Sequence, residues 1–67
     1  MDVKQRLAKN LKRIREERKL SQETLAFEAD IHRTYLSDIE RGARNPTIVV
    51  VDRFAQALNV TLGELLD

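Results

Sequence analysis

The stretch from Ser21 to Pro46, SQETLAFEADIHRTYLSDIERGARNP, constrains the fold most, because it confines two helices and a reversal between them to a short span. Ser21 is placed to N-cap a helix over residues 22–29, its hydroxyl accepting an otherwise orphaned backbone N–H. Leu25, Ala26 and Ala29 then recur at helical spacing on one inner face. Asp30 falls where the chain must turn back, and Ile31 is an apolar plug before a second helix over residues 32–41. Leu36 and Ile39 point inward from that helix, leaving Arg33, Thr34, Ser37, Asp38 and Arg41 on its outer face. Gly42 suits the left-handed position just past the helix end, and Pro46 halts the loop beyond it. A short helix, a tight turn and a polar-faced second helix match the dimensions of a DNA major groove. The same pair also occurs in helical bundles where the polar face is simply solvated, so spacing alone leaves both readings open.

The remainder of the chain reads as three more helices, giving an all-α, compact five-helix fold. The first spans residues 3–18, with Val3, Leu7, Leu11 and Ile14 as its inner stripe, and Lys19-Leu20 closes it. The fourth spans residues 47–58 with Ile48, Val51, Phe54, Ala55 and Leu58 facing inward. Locally, Thr47-Ile48-Val49-Val50-Val51 is β-branched throughout and favours a strand. An isolated strand would leave its backbone groups unpaired, and nothing else in the chain offers a partner, so a helix is expected. Asn59 is expected to cap its end. Thr61 and Glu64 form a capping box for a last helix over residues 62–66.

At 67 residues the chain holds one core and a single domain, residues 1–67. A chain of this length buries only about 60% of its unfolded surface, so a partner subunit would add stability. Without cysteine there is no disulfide framework or thiolate metal site, and His32 stands alone as the only histidine. No apolar run reaches the roughly 20 residues that span a bilayer, and the N-terminus is charged and amphipathic, so no membrane partner and a cytoplasmic location are expected. Net charge is only +1, but its distribution is uneven. Residues 1–19 carry eight Lys/Arg against three Asp/Glu, residues 20–40 one against five, and residues 41–53 three against one. Two basic segments therefore flank the helix pair, where contacts to a phosphate backbone would be wanted. On the first helix, Lys4, Arg6 and Lys9 are read as ordinary solvated charge. The chain has no phosphate-binding glycine loop, no cysteine nucleophile and no pair of histidines at ligand spacing, so it is not read as an enzyme and no cofactor is implied.

Several of these residues together resemble the DNA-binding domain of phage repressor and Cro-like regulators, the Xre-type helix-turn-helix family. The matching residues are Gln22, Leu25-Ala26, Arg33-Thr34-Tyr35-Leu36-Ser37, Ile39-Glu40-Arg41-Gly42, Arg44-Asn45-Pro46, Ala55, Ala57-Leu58 and Leu62-Gly63-Glu64-Leu65-Leu66. The likeness runs from about Leu11 to Leu66. It implies a lambda-repressor-like fold, a sequence-specific double-stranded DNA-binding regulator, and residues 32–41 as the helix in the groove. Lys19 departs from the family, which usually has glycine there; a left-handed lysine would cost about 1 kcal/mol relative to glycine. Asp30 is a milder departure. Among family types, the Arg-Thr-Tyr run and the Arg-Asn after the glycine turn are similar to the small controller proteins of restriction–modification systems.

Chemistry then assigns roles on the outer face. Arg33 is suited to bidentate hydrogen bonding with guanine, a contact worth about 1–3 kcal/mol of discrimination. Thr34 can offer its methyl group to thymine. Ser37 and Asp38 lie one turn on, and Asp38 can accept from cytosine or exclude phosphate. The resemblance implies base contacts at Arg33, Thr34 and Asp38, and backbone contacts near Gln22 and around Arg44-Asn45. Arg41 joins the flanking contacts, and Tyr35 either reaches a phosphate or packs. Glu40, acidic and near the end of the helix, is implied by the resemblance to pair with Arg15. Val49, Val50 and Leu66 fall outside the inner stripes; they are scattered surface residues or, as in many small family members, a homodimer interface reading a palindrome. RNA polymerase is a further partner if the acidic Glu23 and Glu28 belong to an activator. The competing class is a protein-binding module such as an antitoxin. Antitoxins usually add a segment after the helical domain, and the end of this sequence at Leu66-Asp67 favours a stand-alone regulator.

Overall fold

The structure, a computed structural model, describes residues 2–67. Its elements are α1 (Val3–Glu17), α2 (Gln22–Ala29), α3 (Arg33–Glu40), α4 (Ile48–Leu58) and α5 (Leu62–Leu66), with no strand among the described residues. Four of the five starts have a local cause. The side chains of Asp2, Ser21, Thr47 and Thr61 accept the backbone N–H three residues on, and at Thr61 the Glu64 carboxylate returns the bond to complete a capping box. α3 differs: His32 occupies the N-cap position without a side-chain cap, so the helix proper begins at Arg33 rather than His32 and ends at Glu40 rather than Arg41.

The first four helices end in one device. The N–H groups of Lys19, Asp30, Gly42 and Asn59 bond to Glu16, Phe27, Ile39 and Gln56 carbonyls, and those of Leu20, Ile31, Ala43 and Val60 to Arg15, Ala26, Asp38 and Ala55. This is the Schellman pattern, and all four residues at its centre have φ between 57° and 73°. Only Gly42 is a glycine. After three of the four turns a branched apolar residue (Leu20, Ile31 or Val60) folds back onto the core.

α1 packs on α3 and α5, while α2 packs on α3 and α4. Leu11, Leu25, Leu36, Ile39, Phe54, Leu58 and Leu65 are fully buried where these faces meet. Two inner-stripe expectations need correction. Val3 and Ile48 are 51% and 58% exposed, because each begins its helix and lies beyond the edge of the facing elements. Val50, placed off the inner stripe, is half-buried and packs on the core, as does Leu66. Arg6 is more than solvated charge, since its Nε donates to the Leu66 carbonyl at 3.1 Å. Asn10 donates to the Leu65 carbonyl at 3.1 Å and Arg18 to that of Leu58, so α1 and its C-cap residue satisfy carbonyls at the ends of α4 and α5. Among the described residues, no helix is long and apolar enough to cross a membrane.

Candidate nucleic-acid interface

α3 is amphipathic at a period that settles which side chains face out. Leu36 and Ile39 are buried, while Arg33, Thr34 and Arg41 are exposed and Ser37 and Asp38 half-exposed. Thr34, Asp38 and Arg41 lie three or four residues apart and share one stripe, with Ser37 beside them. All five polar positions expected to face outward therefore lie on one side of a two-turn helix.

That helix is held by a buried ion pair on its flank. Glu40 receives Arg15 Nε at 2.7 Å on one carboxylate oxygen and Arg15 Nη2 at 3.0 Å on the other, a two-pronged contact with fixed geometry. The two side chains are 10% and 3% exposed. Arg15 Nη1 also donates to the Leu20 carbonyl at 2.7 Å, which ties the α1–α2 turn into the same group. The hydrogen bond to Glu40 raises the Arg15 pKa above its ordinary value, with burial opposing and the Glu40 charge reinforcing. Among the described residues no buried side-chain nitrogen or oxygen lacks a partner, the condition for burying such a pair without a stranded charge.

Gln22, the first residue of α2, joins the network. Its Nε2 donates to Glu40 at 3.0 Å, committing one of the two amide hydrogens and fixing the direction of the other. Glu40 thus connects α1, the start of α2 and the end of α3.

The opposite flank of α3 carries a second cluster. Asp38 Oδ1 lies 2.5 Å from Arg41 Nη2, and Asp38 Oδ2 lies 3.6 Å from Arg44 Nη2. The Arg44 guanidinium also sits over the Tyr35 ring, 4.4 Å from its centroid, a stacked cation–π arrangement. Tyr35 is half-buried and packs on the core, so its ring works as a platform. Asn45 is exposed in the loop beyond. Arg53, the remaining arginine of the second basic segment, instead donates to the Asp30 carbonyl at 3.4 Å.

Exposed apolar side chains also lie outside α3. Val49 is 60% exposed, opposite the buried stripe of α4, and Val3, Leu7, Ile48 and Leu66 line a shallow apolar groove where α1 and α4 begin. Phe27 is 84% exposed on α2. Sequence reasoning placed Val3 and Ile48 on inner stripes and gave Phe27 no role. The signal for Phe27 was present in the helical spacing, which puts it off the Leu25-Ala26-Ala29 face. Among the described residues there is no cluster of three or more metal-ligating side chains.

Comparison with known proteins points the same way. The helix-turn-helix family profile matches residues 11–65. The chain is 54% identical to Control protein C.BamHI of Bacillus amyloliquefaciens over 48 residues, 72% of this chain and 59% of that one, so it spans less than two thirds of that relative's length. Its fold is similar to the restriction–modification controller protein C.AhdI of Aeromonas hydrophila, with a TM-score of 0.89 and 37% identity over 92% of this chain and 94% of that one. It is also similar to the controller protein C.Esp1396I, solved as a tetramer in complex with its natural 35 base-pair operator, with a TM-score of 0.86 and 31% identity over 100% and 99% of the two chains.

Proposed function

We propose that this chain, which belongs to the helix-turn-helix family of DNA-binding transcriptional regulators, acts as a homodimer on a palindromic operator with α3 in the major groove. The family is non-enzymatic. The observation that carries it is the polar row on α3, turned outward from a helix whose orientation is fixed by the buried Arg15–Glu40–Gln22 network. Arg33, Thr34, Ser37 and Asp38 are the base-reading set in this proposal. Gln22, Tyr35, Arg41, Arg44 and Asn45 make flanking or backbone contacts. The operator-bound tetramer of the similar controller C.Esp1396I supports both DNA as partner and self-association. Val49 and the groove lined by Ile48 and Leu66 supply apolar surface for a second copy, with the half-buried Val50 next to Val49 in the chain. The likeness to C.BamHI and C.AhdI makes a controller of a restriction–modification system the specific type proposed, at work in the cytoplasm of a bacterium or with a phage.

A second reading has an observation of its own. Phe27 stands 84% exposed on the same helix as the exposed Glu23 and Glu28, the kind of aromatic anchor that protein interfaces use. RNA polymerase is its occupant if the regulator activates; a toxin or other protein is the occupant if the chain is chiefly a protein-binding module. Selection of bound duplexes from a random library at about 150 mM salt decides between the readings. A two-fold symmetric motif with half-sites about 10–11 base pairs apart is expected. A lone half-site would remove the homodimer, and no enrichment at all would transfer the function to a protein partner.

A further inference from the structure

Asp38 is hard to account for on a face meant for phosphates. It is half-exposed on the outer side of α3, and its charge there opposes the attraction on which any DNA contact depends. Its two oxygens face Arg41 and Arg44 at 2.5 Å and 3.6 Å, and Arg44 is held in turn over Tyr35. Arg41 and Arg44 are the cations that follow α3, so one carboxylate engages both. The pairs are open to solvent, with the arginine side chains 64% and 49% exposed. Exposed pairs of this kind are worth less than about 1 kcal/mol and exchange readily.

We propose that Asp38 is a selectivity gate that withholds Arg41 and Arg44 from phosphates until its carboxylate finds a donor on a base edge. The inference rests on α3 facing DNA. On a duplex without such a donor, releasing the arginines leaves a carboxylate unpaired beside phosphate, so the arginines stay with Asp38 and the contact remains weak. Where a base offers an N–H group, as cytosine N4 does in the major groove, Asp38 exchanges two arginines for the base. Both guanidiniums then pass to the backbone. A wrong base therefore forfeits its own hydrogen bond and two phosphate contacts with it, so one residue discriminates more strongly than its single contact to a base.

The test compares wild type, Asp38→Asn, Arg41→Ala/Arg44→Ala and the triple variant on two probes. One probe is the duplex selected from a random library by wild type; the other is an unselected random-sequence duplex of equal length. Asp38→Asn is expected to tighten binding to the random duplex by about five- to tenfold and to steepen its salt dependence by up to about two units of slope, one for each released arginine. Binding to the selected duplex changes by less than about threefold, since a lost base contact offsets the released cations. The gain on random DNA disappears when both arginines are alanine. Circular dichroism melting confirms that all variants are folded at the binding temperature. A gain that persists without the arginines would overturn the gate, leaving Asp38 as simple repulsion. Equal weakening on both probes, or a loss on the selected duplex alone, would also overturn it. Failure of wild type to enrich any duplex would instead remove the DNA reading and this inference together.

Discussion

At the scale of single residues, the chain accepts strain in its turns. Lys19, Asp30 and Asn59 have φ near 58°, where asparagine and aspartate are tolerated and lysine is not helped by its side chain. Lys19→Gly is expected to raise unfolding stability by about 0.5–1 kcal/mol, since relief of the left-handed conformation is partly offset by the greater freedom of glycine in the unfolded chain. Urea denaturation reads this directly, and an unchanged or lowered midpoint would contradict strain at Lys19. The same change at Asn59 should have a smaller effect. At Gly42 the opposite logic holds: a Cβ would meet nothing within 4 Å, so its need for glycine comes from φ of 73° alone.

At the scale of elements, the Arg15–Glu40 pair does what packing alone does not, because it fixes the rotation of α3 relative to α1 while Gln22 brings in α2. Glu40→Gln keeps the shape but leaves the Arg15 charge buried with a neutral partner. Its expected effect is a loss of about 3 kcal/mol, near the lower end for breaking buried pairs and large for a domain of this size. A loss below about 1 kcal/mol would mean that the pair behaves as a surface one. The pH dependence follows from the sign of the Arg15 shift. A cation whose pKa is raised on folding contributes stability that is fully present below its unfolded value and is lost only as pH rises through the folded value. For an arginine both lie far above neutrality, so the stability gap between wild type and Glu40→Gln should stay flat from pH 7 to about pH 9. A gap that closes toward pH 9 would assign it to another group.

At the scale of the whole molecule, size bears on mechanism. The longest extent of the chain is 27 Å, whereas successive major-groove faces lie about 34 Å apart, so under the proposed function one copy would present one reading helix and a second copy would read the next turn. Val49→Asp, on the exposed side of α4, should leave the fold intact, shift sedimentation toward the monomer and weaken binding to a two-fold site far more than to a half-site. Wild-type sedimentation as a monomer at high micromolar concentration, with and without DNA, would exclude the homodimer.

What the sequence determined is what local chemistry controls. Capping side chains at Asp2, Ser21, Thr47 and Thr61, the Schellman turns and the apolar period of α1 to α4 act within a few residues, so helix order and most of the buried set can be read without a structure. The outward row on α3 was legible for the same reason. The tertiary structure decided whatever depends on which surfaces meet. It made Val49 and Ile48 exposed but Val50 half-buried, although all three belong to one β-branched run. The run is helical because Val51, Phe54 and Leu58 bury against α2 and α5, a gain that outweighs local strand preference. It also brought Arg44, a loop residue, onto both Asp38 and Tyr35, and set Gln22 against Glu40 across eighteen positions of chain. Sequence spacing specifies which face of one helix a side chain occupies, but the partner across the gap follows only from how the helices pack.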